Sequence, residues 1–522
     1  MAGGGDASLS APLSSASVLQ QAGDADGRPA DEEEVVPLLG ADELRNEGFD
    51  KDEEDNLAAK VARDYRDEAW IILQFATPIA ISQSAMVIHS CTDQVILAHL
   101  GTFELGAAST SMIWTWLFDT FLIVAIDQTS TLCSQAYGAK NYRLVGEWLQ
   151  LSITCFGILL IPILVARYFT KEVLTSMGFE AELAKLAGEY TWYAQLSIVF
   201  DMIFFTTRAY FEAMGTVQPS MYIDMFCVVL NALVAYMFVF KPLELGLVGA
   251  ALATSVVRSF RTIAFCVYCF GTHPQVRSGE AWQLRWWWQA IRSWGRWKEL
   301  LSLAIPAGLG QALEELQFQA VAFLAAKMGT AAISAQNLAF CVLDFFWIFS
   351  EGVGEAIGVR VANALGSDRA SCAKRSVVVG ISMTTIVGII LGVSLLFCGH
   401  FLFSLTSTDP KVVEQMCLLI PYASAIIILL VDLAPVYCIL QKQGRTTVAT
   451  CTFAICAWGI AFPLCYTLKD SMGLPGLWFG LLVGYGVALG LVLIFLLRSD
   501  WEQLAKEARK RSERTTAEEL DS

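Results

Sequence analysis

Two adjacent carboxylates, Glu314 and Glu315, interrupt a long apolar stretch that reads PAGLGQALEELQF from Pro306 to Phe318. At the centre of a membrane-spanning helix a carboxylate costs about 2.5 to 3.5 kcal/mol on insertion scales, so it is expected to face water or a partner. Pro306 loosens the helix and leaves a backbone carbonyl without its usual donor. This pattern predicts a functional role for Glu314, with cation coupling as the candidate; the alternative is a carboxyl held neutral by a neighbouring hydrogen bond. Neighbouring residues on a helix point about 100° apart, so Glu315 is a second candidate that cannot face the same cavity equally.

Two more acids lie in apolar segments where they would be costly without a function. Asp93 stands in HSCTDQVILAHLG, toward the end of the first apolar segment, and Asp432 stands three residues before Pro435 in LLVDLAPVYCILQKQGR. An acid beside a helix breaker is typical of ion sites in transport proteins. We therefore expect Asp432 to be a candidate for cation coupling, and Asp93, which has no helix breaker beside it, is a further candidate as an acid inside an apolar segment. The alternative for Asp93 is an ordinary polar residue near the mouth of a cavity.

A wider set of polar and aromatic residues is expected to line a substrate cavity. Glu351 and Glu355 are four residues apart and share one helix face, so they repel each other unless a cation lies between them. The complete predicted cavity set is Gln83, Gln311, Asn231, Asp119, Asp127, Asp344, Trp347, Glu351 and Glu355. Aromatic residues could hold a flat or cationic solute by stacking. The alternative for Asp119, Asp127, Glu351 and Glu355 is that each pairs with one of the buried arginines Arg208, Arg258 and Arg360.

The elements that must position these residues are membrane-spanning helices. Of the 522 residues, 55% are hydrophobic and only 16% are charged, a composition typical of a polytopic membrane protein. Windows of roughly 20 apolar residues predict twelve spans. These lie at 70–97, 109–136, 148–166, 188–214, 217–240, 245–270, 300–327, 334–362, 376–398, 412–440, 447–468 and 473–497. The fourteen cysteines show no metal-ligand spacing, so we interpret them as small packing residues.

The segment before the first span has a different composition. Residues 1–56 carry fifteen acidic and three basic side chains, which account for most of the net charge of −15. Such a segment predicts a disordered acidic tail rather than a signal or transit peptide. Within it, EVVPLL resembles an acidic dileucine sorting signal, with Glu34, Leu38 and Leu39 as its determinants; the alternative is ordinary tail sequence.

The two halves of the chain repeat each other at an offset of about 228 residues. TPIAISQ at 77–83 matches IPAGLGQ at 305–311, and AYGAKN at 136–141 matches ALGSDR at 364–369. Since each half has six spans, an even number, the halves are parallel repeats with a cleft between them. We expect an N-lobe at 57–270, an interfacial amphipathic linker at 271–298, a C-lobe at 299–498 and a C-terminal tail at 499–522. Lys and Arg are concentrated in alternate loops, which predicts that these loops and both termini are cytosolic.

Three motifs carry a family resemblance. STLCSQAYGAKNY at 130–142, GVGEAIGVRVANALGS at 352–367 and LRSDWEQLAKEARKR at 497–511 resemble the hallmarks of plant-type multidrug and toxic compound extrusion (MATE) transporters, in the expected order and spacing. The resemblance implies an all-α fold of twelve helices in two six-helix lobes and antiport of organic solutes against H+ or Na+. It also implies cation-coupling roles for Glu314 and Asp432, and it places Asp93 where bacterial members carry an important aspartate.

Other function classes are less compatible with the sequence. Only four histidines are present and none forms a zinc-binding pair, while GVGEAIG lacks the Lys and Ser/Thr of a phosphate loop, so no enzyme and no cofactor or metal is expected. A flippase for lipids or oligosaccharides is the main alternative and would need a more basic cleft. The expected partners are a small organic solute, the lipid bilayer and, through the tail, sorting adaptors, with no nucleic acid. We expect a monomer in a vacuolar or lysosomal-type membrane, with the plasma membrane as the alternative.

Overall fold

The computed structural model describes residues 51–406 and 409–518, with side chains at 62–404 and 409–513. Within this part of the chain the architecture is all-helical. The first seven helices are α1 (Lys51–Leu100), α2 (Thr102–Gly138), α3 (Tyr142–Tyr168), α4 (Thr170–Ser176), α5 (Ala181–Ala213), α6 (Gln218–Val239) and α7 (Gly246–Thr272). Two short helices follow, α8 (Pro274–Arg277) and α9 (Trp287–Arg292), with a 3-10 turn at Leu284–Trp286 between them.

The second half begins with α10 (Trp294–Ala326) and continues through α11 (Thr330–Gly366), α12 (Ala370–Thr406) and α13 (Pro410–Lys442). The next span consists of α14 (Thr446–Cys456), a π-helical turn (Ala457–Ala461) and α15 (Phe462–Met472). The last span is α16 (Leu474–Leu497), and α17 (Trp501–Glu518) follows it. Each of the twelve predicted spans corresponds to one of these long elements, so the predicted number of spans is confirmed.

Ten of the described helices are long and apolar enough to cross a membrane. The two remaining helices of similar length, α5 and α10, are the ones that carry clustered charges, namely Asp201, Arg208 and Glu212 in α5 and Glu314 and Glu315 in α10. A spanning helix satisfies every backbone polar group internally, so these helices remain intact. Part of this charge is compensated in the structure, as in the pair of Arg208 with Glu212 within α5.

The internal repeat seen in the sequence is also a repeat of structure. Helices α2 and α11 both contain 37 residues, and both their first and their last residues are 228 positions apart. Two residues after each helix, Lys140 and Asp368 share a left-handed backbone conformation with φ of 59° and 60°. Non-glycine residues adopt this conformation rarely. The two halves therefore fold with the same register.

Each half has its own hydrophobic core, so the chain forms two lobes. In the first lobe, α1–α7, Phe204 and Phe265 are fully buried with ring centroids 5.2 Å apart. In the second lobe, α10–α16, the fully buried Trp478 packs against Phe340 at 5.2 Å and donates its indole N–H to Gln336 Oε1. Most residues of each core belong to its own lobe, but Ile72 of α1 joins the core of the second lobe, and Leu300 and Leu303 of α10 join that of the first.

The lobes meet along α1 and α2 on one side and α10 and α11 on the other. A Cβ placed on Gly138 would lie 2.1 Å from the carbonyl oxygen of Asn363, and one on Gly366 would lie 2.0 Å from that of Gln135. The ends of α2 and α11 are therefore in direct backbone contact, and we call this side of the molecule the closed end. Farther from the closed end, Asp344, Phe345, Phe349 and Glu351 of α11 are exposed, whereas residues 354–359 are all buried.

Three expectations about the connecting segments need correction. Helix α1 begins at Lys51 and so includes the last residues assigned to the tail. The linker is not one amphipathic helix but two short helices and a turn. Trp286 is buried and Trp287 donates to Thr154 Oγ1 of α3 at 2.9 Å, whereas Trp288 and Trp294 are exposed. The third correction concerns α17, whose Arg511 donates to Gln135 Oε1 at 3.1 Å, so the segment predicted as a tail packs on the closed end. The proposed sorting signal lies outside the described residues.

Candidate cation and substrate site

Glu314 lies on α10 within a group of acids and phenols. Its carboxylate interacts electrostatically with Glu315 on its own helix and with Asp344 and Glu351 on α11. No Lys, Arg or His of the described residues forms an ion pair with Glu314 within 4 Å. The phenols of Tyr437 and Tyr485 also lie close enough to interact with it electrostatically, and neither hydroxyl has a hydrogen-bond partner in the described structure.

The turn of α10 that carries Glu314 is held by the span that contains the π-helical turn. The indole N–H of Trp458 donates to the carbonyl oxygen of Leu313 at 3.2 Å, and the side-chain amide of Gln317 donates to the carbonyl oxygen of Ala457 at 3.3 Å. π-Helical turns inside α-helices are frequent at functional sites. Because these bonds lie on both sides of Glu314, they fix the position of its carboxylate.

Glu315 faces a different direction, as the helical spacing predicts. Its side chain lies close enough to interact with Trp116 of α2 and with Gln311, one helical turn earlier on α10. Trp116 belongs to the first lobe and Glu315 to the second. The two adjacent carboxylates are therefore divided between the interior of the second lobe and the interface between the lobes.

Asp432 does not belong to the Glu314 group. It lies between α12 and α13, where it accepts hydrogen bonds from the hydroxyls of Thr384 at 2.8 Å and Thr385 at 2.9 Å. Its side chain is half-buried. The structure thus satisfies this carboxylate locally by two threonines.

Asp93 lies in the first lobe beside a small cavity. It accepts hydrogen bonds from Asn231 at 2.6 Å and from Thr254 at 3.2 Å. The cavity has a volume of about 90 Å³, and His89, Ser90, Gln94, Tyr190 and Arg258 also line it. Asn231, predicted for the substrate cavity, is fully buried and orients Asp93 instead.

Buried charge pairs of the first lobe surround this cavity. Asp201 of α5 is held by both Arg258 and Arg261 of α7, the latter at 2.5 Å. Asp119 is paired with Arg167 through contacts of 2.6 and 2.7 Å. Both carboxylates are therefore compensated by guanidinium groups in the structure.

The predicted alternative named the wrong basic partners for the four acids. Arg208 pairs with Glu212, and Arg360 pairs with Glu68 at 2.7 Å. The partner of both Asp127 and Glu355 is Lys442, whose ammonium lies 3.1 Å and 2.7 Å from them. Sequence reasoning assigned Lys442 to a loop, yet it is the last residue of α13 and its side chain is 0% exposed. The sequence signal that could have revealed this partner was a lysine at the end of an apolar helix, in a chain whose other spans carry two unpaired acids.

The remaining residues predicted for the substrate cavity are Glu351, Gln83 and Trp347. No ion pair within 4 Å involves Glu351 in the part of the chain that the structure describes, and its side chain is exposed. Gln83 is half-buried, and its Oε1 is buried without a described partner. Trp347 is half-buried. Among the described residues, no three His, Cys, Asp or Glu side chains are placed to hold a metal ion.

Two lobes of six spanning helices with repeat symmetry, unpaired acids in one lobe and charged groups across the interface define a polytopic membrane transporter. The MatE family model matches residues 78–237 and 306–467, which is more than half of the chain. The two matched segments begin 228 residues apart, at the offset of the internal repeat. The chain therefore belongs to the MatE family.

Similar proteins cover nearly the whole described chain. Multidrug and toxin extrusion protein 1 of Xenopus tropicalis is 26% identical over 452 residues, which are 85% of this chain and 77% of the frog protein. Protein DETOXIFICATION 35 of Arabidopsis thaliana is 27% identical over 470 residues, 87% of this chain and 91% of the plant protein. The crystal structure of the eukaryotic MATE transporter AtDTX14 matches with a TM-score of 0.79 at 20% identity, covering 86% of this chain and 99% of that one. These likenesses agree with a twelve-helix, two-lobe efflux transporter.

Proposed function

We propose that the chain is a secondary active antiporter that exports organic solutes, cationic or polyaromatic, in exchange for H+ or Na+. The observation that supports this most is the group formed by Glu314, Asp344 and Glu351, which lacks a basic partner at Glu314 and Glu351 among the described residues. Acids inside a membrane protein that lack a fixed counterion attract cations. The coupling ion and a cationic cargo are the two kinds of cation that such a transporter meets.

Exchange of the coupling ion for the cargo follows if the two cannot bind at the same time to the group formed by Glu314, Asp344 and Glu351. A proton or Na+ that reaches Glu314 from the outer or lumenal side removes the negative charge that holds a cationic cargo, so the cargo leaves. The neutralised lobe then changes its packing against the first lobe and opens to the cytosol, where the ion is released and new cargo binds. Exposed aromatic residues between the lobes, such as Trp116 and Phe345, would stack on a flat solute.

We further propose that the closed end faces the cytosol. At this end Lys140 and Arg369 lie in the turns that follow α2 and α11, and Arg143 and Lys374 lie near the starts of α3 and α12; basic residues at such short connections favour the cytosolic side. Both termini then lie in the cytosol. The acidic dileucine pattern of the N-terminal tail supports a vacuolar or lysosomal-type membrane, with the plasma membrane as the alternative.

A lipid or oligosaccharide flippase of the same fold is the second candidate. Its cargo carries phosphate, which needs basic side chains in the central cleft. The arginines closest to such a role, Arg258 and Arg261, are both occupied by Asp201. The acids around Glu314 would repel a phosphate, so the charge distribution favours cation exchange.

The two candidates differ in how transport responds to an ion gradient. Liposomes that contain the purified protein are loaded with a fluorescent organic cation. Efflux of the cation is then measured with a proton gradient, with a sodium gradient and with neither. We expect one of the two gradients to accelerate efflux by about tenfold or more, which corresponds to about 1.4 kcal/mol of coupling. Efflux that is indifferent to both gradients, together with rapid redistribution of a labelled phospholipid in the same liposomes, would favour the flippase.

A further inference from the structure

Two acids at equivalent positions of the internal repeat share one lysine. Asp127 of α2 and Glu355 of α11 are 228 residues apart, and the Lys442 ammonium contacts both carboxylates, at 3.1 and 2.7 Å. Lys442 is the last residue of α13, and the last residue of the equivalent helix α5 is Ala213, so a matching basic group is absent at that position. Lys442 thus breaks the symmetry of the two halves at the point where they meet.

The two contacts of Lys442 differ in which lobe they join. Glu355 belongs to the same lobe as Lys442, so their contact persists when the lobes move. Asp127 belongs to the first lobe, so its contact with Lys442 crosses the interface and breaks when the closed end opens. The Gln135 side-chain amide, also from the first lobe, donates to the backbone carbonyl oxygen of Lys442 at 3.0 Å.

The surrounding charges make Lys442 necessary for closure. Asp127, Glu355 and Glu351 are all acids, and Asp127 interacts electrostatically with each of the other two, so these interactions are repulsive when the groups are charged. Arg208 is the other basic group near them, and it is already hydrogen-bonded to Glu212 at 2.6 Å. Without the ammonium, Asp127 of the first lobe would face the buried carboxylate of Glu355 of the second lobe with no cation between them. Like charges in such a site repel strongly, and opening would relieve the repulsion.

The helix packing leaves space for this lysine. A Cβ on Gly358 of α11 would lie 2.6 Å from Lys442 Cγ, closer than real contacts allow. Gly358 is one turn beyond Glu355, so it lets the lysine stem run along α11 toward both acids. The hydroxyl of Ser130, from the first lobe, donates to Glu355 at 3.0 Å and adds to the same contact.

We propose that Lys442 is a positioning residue of the transport cycle, a tethered cation that holds the closed end shut and sets the fraction of molecules open to cytosolic cargo. The proposal rests on the alternating access of the proposed function. A residue of this kind acts on the equilibrium between two conformations. When binding requires the less populated conformation, apparent affinity falls by the fraction that is competent, so weakening the closed form strengthens apparent binding.

Substitution of the lysine should therefore separate affinity from turnover. In Lys442→Gln we expect KM for a cationic cargo presented at the closed end to fall up to about tenfold, because more molecules are open there. We expect kcat to fall as well, because the step that closes this end becomes slower. Lys442→Arg keeps a cation and should stay near the wild type. The exchange of charges in the double variant Asp127→Lys, Lys442→Asp restores one cation between two acids and should recover kcat.

A second readout needs neither cargo nor a gradient. The thiol of Cys438 lies 3.4 Å from Glu355 in the same group, whereas Cys133 is buried inside the first lobe. With a permeable maleimide and peptide mass spectrometry, Cys438 should react several-fold faster in Lys442→Gln than in the wild type and Lys442→Arg, with Cys133 unchanged in all three. Asp127→Asn should shift Cys438 labelling in the same direction and tests the contact even if Lys442→Gln folds poorly.

Unchanged KM and unchanged Cys438 labelling in variants that lose kcat would assign Lys442 a purely structural role and overturn the proposal. A failure of the proposed function has a different result. In that case wild-type flux would not respond to any ion gradient, while labelling of Cys438 would still report the opening of the closed end.

Discussion

The indole N–H of Trp458 donates to the carbonyl oxygen of Leu313, 3.2 Å away, one residue before Glu314. Trp458 lies in the π-helical turn Ala457–Ala461, and α10 packs against this span. This hydrogen bond therefore connects the π-helical turn of one span to the turn of α10 that carries Glu314. The position of the Glu314 carboxylate therefore depends on a second helix as well as its own.

Replacement of Trp458 by phenylalanine tests this dependence. Trp458→Phe keeps an aromatic ring but removes the donor, and one hydrogen bond contributes about 0.5 to 1.5 kcal/mol. We expect gradient-driven efflux to fall several-fold while the melting temperature changes by only a few degrees. Trp288→Phe is the matched control, because Trp288 is an exposed linker residue. Equal efflux in the two variants would mean that the bond does not position the site.

Closure of the lobes depends on glycines where α2 meets α11. Gly366→Ala places a methyl group 2.0 Å from the carbonyl oxygen of Gln135, a backbone atom that cannot move aside without separating the helices. We expect transport rates in proteoliposomes to fall about tenfold or more, since a closed state is needed in every cycle. Gly490→Ala is the control, because nothing lies within 4 Å of a Cβ there.

If Gly366→Ala and Gly490→Ala had the same rates, the backbone contact seen at the closed end would be irrelevant to turnover. Comparable amounts of folded protein in both variants, checked by size-exclusion chromatography, are needed for this comparison.

The spans and the repeat were predictable from the sequence because they follow from local requirements. A helix is one of the few structures that satisfy the backbone in hydrocarbon, so long apolar windows predict its presence. The match of Pro78 with Pro306 predicted the 228-residue register that α2 and α11 then share. The candidacy of Glu314 likewise followed from its own surroundings.

The partners of the charged residues were not predictable in the same way. Which acid meets which base depends on helix rotation and on packing between distant parts of the chain. From the sequence, Arg258 was one of three arginines expected to pair with Asp119, Asp127, Glu351 and Glu355, whereas it pairs with Asp201, and Lys442 lay beyond the predicted end of its span. The packing of α17 on the closed end was not predicted either, because its mostly charged sequence contains only a small apolar stripe, formed by Trp501, Leu504, Ala505 and Ala508.

Two acids of the first lobe, Asp201 and Asp93, should differ in how much folding stability is lost when each is replaced. Asp201→Asn leaves the guanidinium groups of Arg258 and Arg261 without their shared carboxylate, and breaking a buried pair typically costs about 3 to 5 kcal/mol. Asp93→Asn removes a carboxylate whose hydrogen-bond donors, Asn231 and Thr254, are neutral and which interacts with Arg258 without an ion pair within 4 Å. We expect a large loss of thermal stability in the first variant and a small one in the second, measured by unfolding in detergent.

Asp93→Asn should still lower gradient-driven efflux if Asp93 is a second cation site. Wild-type efflux in a stable Asp93→Asn protein would restrict cation coupling to the second lobe. Equal stability of the two variants would contradict the assignment of Asp201 as the shared carboxylate of both arginines.

The most direct test of the account is the response of Glu314→Gln to an imposed ion gradient in proteoliposomes, with Asp470→Asn as the control because Asp470 is an exposed acid at the end of α15. The account predicts that Asp470→Asn keeps the full acceleration of efflux, whereas Glu314→Gln transports at one slow rate with or without the gradient. Acceleration of Glu314→Gln by the same factor as the wild type would contradict the coupling role of Glu314.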